Sequence, residues 1–187
     1  MSRRGPEADE AFETLVRAHQ RSVLNYCARR ASRADAWDAA SEVFLVAWRR
    51  FDDLPADVAV RAWLLGVAYK ILSNQRRSAA RRVRLSERVA TAATTTMLAG
   101  EPFIDSPIDS TVLDALTRLK PTDREVLQLT LWDSLSREET AQVLGISTDA
   151  VHKRYSRAKK RISDELAKES KMTGRATQVT TTKGETP

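Results

Sequence analysis

The chain is poor in the residues that build cross-linked or metal-bound folds. It has one cysteine, two histidines, six glycines and six prolines in 187 residues, and aromatics make up 6%. One cysteine excludes an internal disulfide framework, and two distant histidines give no zinc-ligand spacing. Cys27 reads as a small buried apolar residue. Long apolar runs are also missing. The longest, such as Val43–Trp48 and Trp63–Ala68, fall far short of the ~18 residues a membrane span needs, so no membrane partner is expected. Residues 1–7 contain no apolar stretch; no secretory signal is expected, and a cytoplasmic location follows. Carboxylates gather only at Asp52, Asp53 and Asp57, in a turn where solvated helix termination explains them. No catalytic group, metal, cofactor or small-molecule substrate is therefore expected.

Charge is what the chain has. The net charge is +6, from 31 basic and 25 acidic residues. Segment 70–88 carries seven cations against Glu87, and segment 153–161 carries six cations and no acid, so each is +6 and the rest of the chain is −6. Two concentrated cationic stretches on an acidic background read as two polyanion contacts; the plainer alternative for each is a solvated helix face.

Periodicity predicts an all-α protein of two small helical bundles. After a polar, mobile stretch over 1–8, apolar residues recur at helical spacing from 9 to 30, with Phe12, Leu15, Val16, His19, Val23, Tyr26 and Cys27 on the stripe. A second helix is expected over 35–50, with Asp35 and Asp38 early, Arg49 and Arg50 late, and Phe44, Ala47 and Trp48 buried. Pro55 breaks it. A third helix over 58–82 places Ala62, Trp63, Leu64, Val67, Ile71 and Leu72 inside and becomes basic toward its end. Trp37, Trp48 and Trp63 read first as core. Residues 89–110, low in charge and punctuated by Gly100, Pro102 and Pro107, read as a flexible linker.

The second bundle is expected over 111–169. A stripe of Val112, Leu113, Leu116 and Leu119 ends before Pro121. Thr122-Asp-Arg-Glu125 and Ser136-Arg-Glu-Glu139 read as capping boxes opening two further helices. Gly145 follows the latter helix as a left-handed terminator, and Ser147 caps a last helix reaching about Lys168. The polar, Thr-rich residues 170–187 read as a disordered tail. Ser136–Arg161 is the pattern of a helix-turn-helix. Its second helix sorts Val151, Tyr155, Ala158, Ile162 and Leu166 to a buried stripe, and His152, Lys153, Ser156, Arg157 and Lys160 to a free cationic face that suits the major groove. Arg157 is suited to a guanine edge, and Ser147 and Thr148 at the helix start to a phosphate. Trp63 beside the first basic segment suits unstacked bases in a single strand.

The chain resembles an extracytoplasmic-function sigma factor of bacterial RNA polymerase over about residues 10 to 168. The resemblance rests on Trp37-Asp-Ala-Ala-Ser-Glu-Val-Phe-Leu-Val-Ala-Trp-Arg-Arg50, on Arg61-Ala-Trp-Leu-Leu-Gly-Val-Ala68, on Leu116-Thr-Arg-Leu-Lys-Pro-Thr-Asp-Arg-Glu-Val-Leu-Gln-Leu129, and on segments 134–147 and 150–158, in this order. It implies that residues 9–88 form a sigma-2-like domain that binds the clamp helices of core polymerase through Asp38, Ser41 and Glu42. The same domain would recognise and melt the −10 element through Leu54, Asp57, Lys70, Arg76, Arg77 and Arg81, to which Trp63 is added by its own place beside the basic segment. It also implies a sigma-4-like domain that meets the polymerase flap and reads the −35 element with His152, Lys153, Ser156 and Arg157. Promoter DNA and core polymerase are the implied partners, and an anti-sigma protein is a further one. Two other functions compete: a stand-alone helix-turn-helix regulator, which would bind an operator without polymerase, and a nuclease, for which the residues are lacking.

Overall fold

The computed structural model describes residues 5–55, 57–87 and 110–180, which form seven α-helices and one 3₁₀ turn, with no strand among the described residues. The expected linker over 89–110 lies outside the described residues except for Ser110. The chain divides into two compact units, one built on α1, α2, α3 and α6, the other on α4, α5 and α7.

In the first unit α1 spans Pro6–Ala28, α2 Arg33–Arg49 and α3 Asp57–Glu87. Helix α1 starts earlier than expected. Pro6 takes the first helical position, where its missing N–H is no loss, and Glu7 and Asp9 meet the positive end of the dipole. Helix α2 also starts early, because the Ser32 hydroxyl accepts the Asp35 N–H at 3.3 Å and donates to the Asp35 carboxylate at 2.6 Å. A 3₁₀ turn over Phe51–Asp53 and then Pro55 separate α2 from α3.

The three helices pack pairwise around Val23, Tyr26, Cys27, Leu64, Leu65, Ala68 and Leu72. The seam α2 gives to this core is small-residued: Ala36, Ala39, Ala40, Val43 and Ala47 are all buried, which lets neighbouring helices approach closely. This corrects the expected stripe. Ala47 lies on it, whereas Phe44 and Trp48 sit half-buried at its flank. Trp48 packs with Phe12 edge-on at 4.8 Å, and Phe12 meets Phe51 at 5.7 Å. Trp37, read first as core, is 51% exposed; one residue past Ala36, it lies about 100° round the helix from the seam.

His19 is half-buried on α1. Burial, and then the neighbouring Arg61 guanidinium, hold its imidazole below the ordinary value. The folded chain therefore resists a proton that the unfolded chain takes up near pH 6.5, and stability is full above that pH and declines as the solution is acidified through it. Melting temperatures between pH 7.5 and 5 should fall for the natural chain and fall less steeply for His19→Gln. Parallel slopes would contradict this role for His19.

In the second unit α4 spans Ser110–Thr117, α5 Pro121–Leu131 and α7 Thr148–Thr180. Leu116, Leu119, Leu127 and Ala158 form its core, with Val112, Trp132, Tyr155 and Ile162 against it. The expected capping box at Thr122 is not what opens α5: Lys120 is the N-cap without a side-chain bond, and Pro121 takes the first helical position. Arg124 instead donates to the Thr117 and Leu119 carbonyls at 2.9 and 3.3 Å, satisfying the end of α4. Glu165 of α7 binds Lys168 at 2.9 Å and Arg118 at 2.6 Å; these hydrogen bonds hold its carboxyl below the ordinary value. Helix α7 does not end near Lys168 but continues to Thr180. Residues 167–176 are rich in Ala, Lys, Glu, Met and Arg, whose propensity carries the helix on. The remainder of the expected tail, 181–187, lies outside the described residues.

Candidate nucleic-acid interface

Helix α6 spans Arg137–Leu144, beginning directly after Ser136. It ends in the turn expected from Gly145. That residue has φ +64°, its N–H donates to the Gln142 carbonyl at 3.4 Å, and the Ile146 N–H donates to Ala141 at 3.1 Å. This is a Schellman terminus, which requires the left-handed region that glycine enters without strain. Ser147 then caps α7 by accepting the Ala150 N–H at 3.2 Å. In this cap the Ser147 oxygen only accepts, which leaves its O–H proton to donate to the phosphate expected there. A Cβ at 145 would meet nothing within 4 Å, so Gly145→Ala is penalised by backbone conformation alone. We expect it to destabilise the protein by about 1 kcal/mol in urea denaturation. An unchanged midpoint would contradict the turn assignment.

Along α7, Val151 and Ala158 are fully buried and Ile162 is half-buried. Lys153, Ser156, Arg157 and Lys160 are exposed and share the opposite face. His152 is exposed too, but lies about 100° from Lys153, on the flank. Thr148 is exposed at the first position of the helix. Tyr155 is half-buried, with the Arg137 guanidinium 5.9 Å from its ring centroid. One residue differs from the expected picture. Arg157 is not wholly free: its Nη2 lies 3.4 Å from Oδ1 of Asp123, which is 2% exposed, while the arginine side chain is 60% exposed. In the sequence Asp123 belongs only to the Thr122–Glu125 capping pattern. No local signal pairs it with a residue 34 positions away.

In the first unit, Trp63, Lys70, Arg77 and Arg81 recur at intervals of seven, seven and four along α3 and therefore share a face. Trp63 is half-buried, with the Arg50 guanidinium 5.9 Å from its ring centroid. Lys70, Arg76, Arg77 and Arg81 are exposed, but Arg76 stands about 100° away from Arg77. Arg77 donates to the Ser73 carbonyl at 3.3 Å and to Asn74 Oδ1 at 2.8 Å, and Arg81 donates to Ser78 at 3.3 Å. Both guanidiniums are thereby laid along the helix. Leu54 is half-buried just past the 3₁₀ turn. The side chain of Asp57 lies outside the described residues. On α2, Asp38, Ser41 and Glu42 are exposed on one face. About one turn on, toward the same face, stands Leu45, 54% exposed, a position the sequence did not single out. Among the described residues no group of three or more His, Cys, Asp or Glu could hold a metal ion, and no helix is long and apolar enough to cross a membrane.

One unit with an aromatic-then-cationic face on α3 and another whose α7 carries an exposed cationic face define a two-part nucleic-acid-binding protein. Comparison with known proteins narrows the class. The family model for Sigma-70 region 2 matches residues 15–82, and that for Sigma-70 region 4 matches residues 110–162. The chain is 32% identical over 139 residues to the RNA polymerase sigma factor CnrH of Cupriavidus metallidurans, covering 69% of this chain and 72% of that protein. It is 29% identical over 172 residues to the sigma factor NccH of Alcaligenes xylosoxydans xylosoxydans, covering 87% and 91%. Its fold matches that of RpoE of Bartonella quintana, solved with the anti-sigma factor NepR, at a TM-score of 0.67 over 84% of this chain and 98% of that one, at 21% identity. The chain belongs to the extracytoplasmic-function sigma factors. It partners core RNA polymerase and promoter DNA and directs promoter-specific transcription initiation inside the cell.

Proposed function

We propose that the two helical groups divide the work as their surfaces suggest. Residues 9–88 engage the clamp helices through Asp38, Ser41 and Glu42 and handle the −10 element. There Leu54, Asp57 and Trp63 border an unstacked base, Lys70 approaches it, and Arg76, Arg77 and Arg81 track the strand backbone. Residues 111–169 meet the flap and read the −35 element. Arg157 meets base edges, Ser156 and His152 adjoin it, and Lys153, Lys160, Ser147 and Thr148 hold phosphates. The observation that carries this reading is α7: its buried stripe stands opposite Lys153, Arg157 and Lys160, directly after a Gly145 turn.

The chain contributes no catalytic group on this reading, since bond formation belongs to the polymerase, and it acts in the cytoplasm. A negative partner of anti-sigma type is part of the reading, supported by the related CnrH having been solved in complex with the cytosolic domain of CnrY. A gel shift separates this function from a stand-alone regulator. Specific retardation of promoter DNA should require core polymerase. Tight sequence-specific binding by the chain alone would refute it.

A further inference from the structure

We propose that Asp123 is a positioning residue for −35 readout, its buried carboxylate presetting the guanidinium of Arg157 before DNA arrives. The inference rests on the assignment of α7 to the −35 element and adds to it a residue from another helix.

Asp123 is the third residue of α5 and is 2% exposed. A carboxylate so deeply buried is tolerated only where its charge is compensated. Two compensations are present: the amide dipoles of the α5 N-terminus and the Arg157 guanidinium at 3.4 Å. Arg157 is the only cationic side chain within salt-bridge reach of Asp123 among the described residues.

Both ends of this pair are anchored. Asp123 sits in a helical turn whose N–H bonds the Lys120 carbonyl at 3.0 Å. Arg157 is followed by Ala158, which is 0% exposed and packs in one core cluster with Leu127 of α5. The guanidinium between these anchors stays at the surface, and only one of its nitrogens is taken by Asp123. Arg157 itself stands on the face of α7 that carries the exposed Lys153, Ser156 and Lys160, and its side chain is 60% exposed.

Bidentate recognition of a guanine edge needs that fork in one orientation. A guanidinium already restrained loses less freedom on binding. Lys153 and Lys160 have no such restraint among the described residues, and a mobile ammonium suits sequence-independent phosphate contact. The Asp123 charge also disfavours placing a phosphate where the base edge should be.

The test uses holoenzyme and a promoter library randomised across the −35 segment, with RNA start sites mapped and counted. Preference for each base is normalised to total output, so a variant that is merely less stable does not alter the profile. Arg157→Lys, which keeps the charge and removes the fork, locates the position Arg157 reads. Asp123→Asn should flatten preference at that same position by about fivefold and leave the others intact. Asp123→Glu should flatten it less. If Arg157→Lys flattens a position and Asp123→Asn lowers output evenly with an unchanged profile, the positioning role is wrong while the α7 assignment stands. If Arg157→Lys alters no position, the assignment of Arg157 falls and this proposal with it. Should the Asn variant not fold by circular dichroism, the Glu variant decides: an unchanged profile overturns the proposal.

Discussion

Asp38→Lys combined with Glu42→Lys should weaken retention on core polymerase by about 100-fold and leave the fold intact. Both side chains are exposed on one face of α2, and the 54%-exposed Leu45 follows them about one turn on. A partly desolvated interfacial charge pair contributes about 1.5 kcal/mol or more, so reversing two amounts to about 3 kcal/mol, or two orders of magnitude in affinity. The fold is indifferent because the buried seam of α2 lies elsewhere, on Ala36, Ala39, Ala40, Val43 and Ala47. Like charges four residues apart are simply replaced by like charges of the other sign. Leu45→Ala should act in the same direction with a smaller effect. Surface plasmon resonance against core enzyme, with melting curves as control, reads both quantities. Full retention by the double variant would remove α2 from the polymerase interface.

The second large effect concerns salt. Lys153→Ala with Lys160→Ala should weaken holoenzyme binding to every promoter alike and reduce the slope of log affinity against log salt by about 1.8, or 0.9 for each phosphate released. The two lysines stand opposite the buried Val151 and Ala158 and the half-buried Ile162, so their loss leaves packing unchanged. The effect differs in kind from that of Arg157, which should alter base preference. A loss confined to particular −35 sequences, with an unchanged salt slope, would show that these lysines read bases.

What was legible in advance was whatever is encoded locally. Gly145 and Ser147 announce a helix end and a helix start, because each residue's own backbone or hydroxyl completes the turn. The alternation of Val151, Ala158 and Ile162 with cations fixes which side of α7 faces solvent. Boundaries were misplaced where two local signals compete: Pro121 opens α5 in place of Thr122, and Ser32 starts α2 ahead of Asp35. Side-chain fates set by tertiary neighbours were not legible. Trp37 is as apolar as Trp48, yet only Trp48 has Phe12 and Phe51 to pack on. Asp123 and Arg157 look like ordinary surface charges until α5 and α7 are brought together. The end of α7 is not legible because Thr and Ser, which point to a loop, are interleaved there with Ala, Lys, Glu, Met and Arg, which favour helix.

The most direct trial of the central claim is run-off transcription. Purified chain would be mixed with core polymerase on genomic fragments, co-elution checked by size exclusion, and transcript starts mapped. Two cationic surfaces serving one initiation complex predict a stoichiometric co-eluting complex and RNA beginning at discrete sites, each preceded by a shared pair of upstream sequences. Failure to co-elute, or starts no different from those of core enzyme alone, would contradict it.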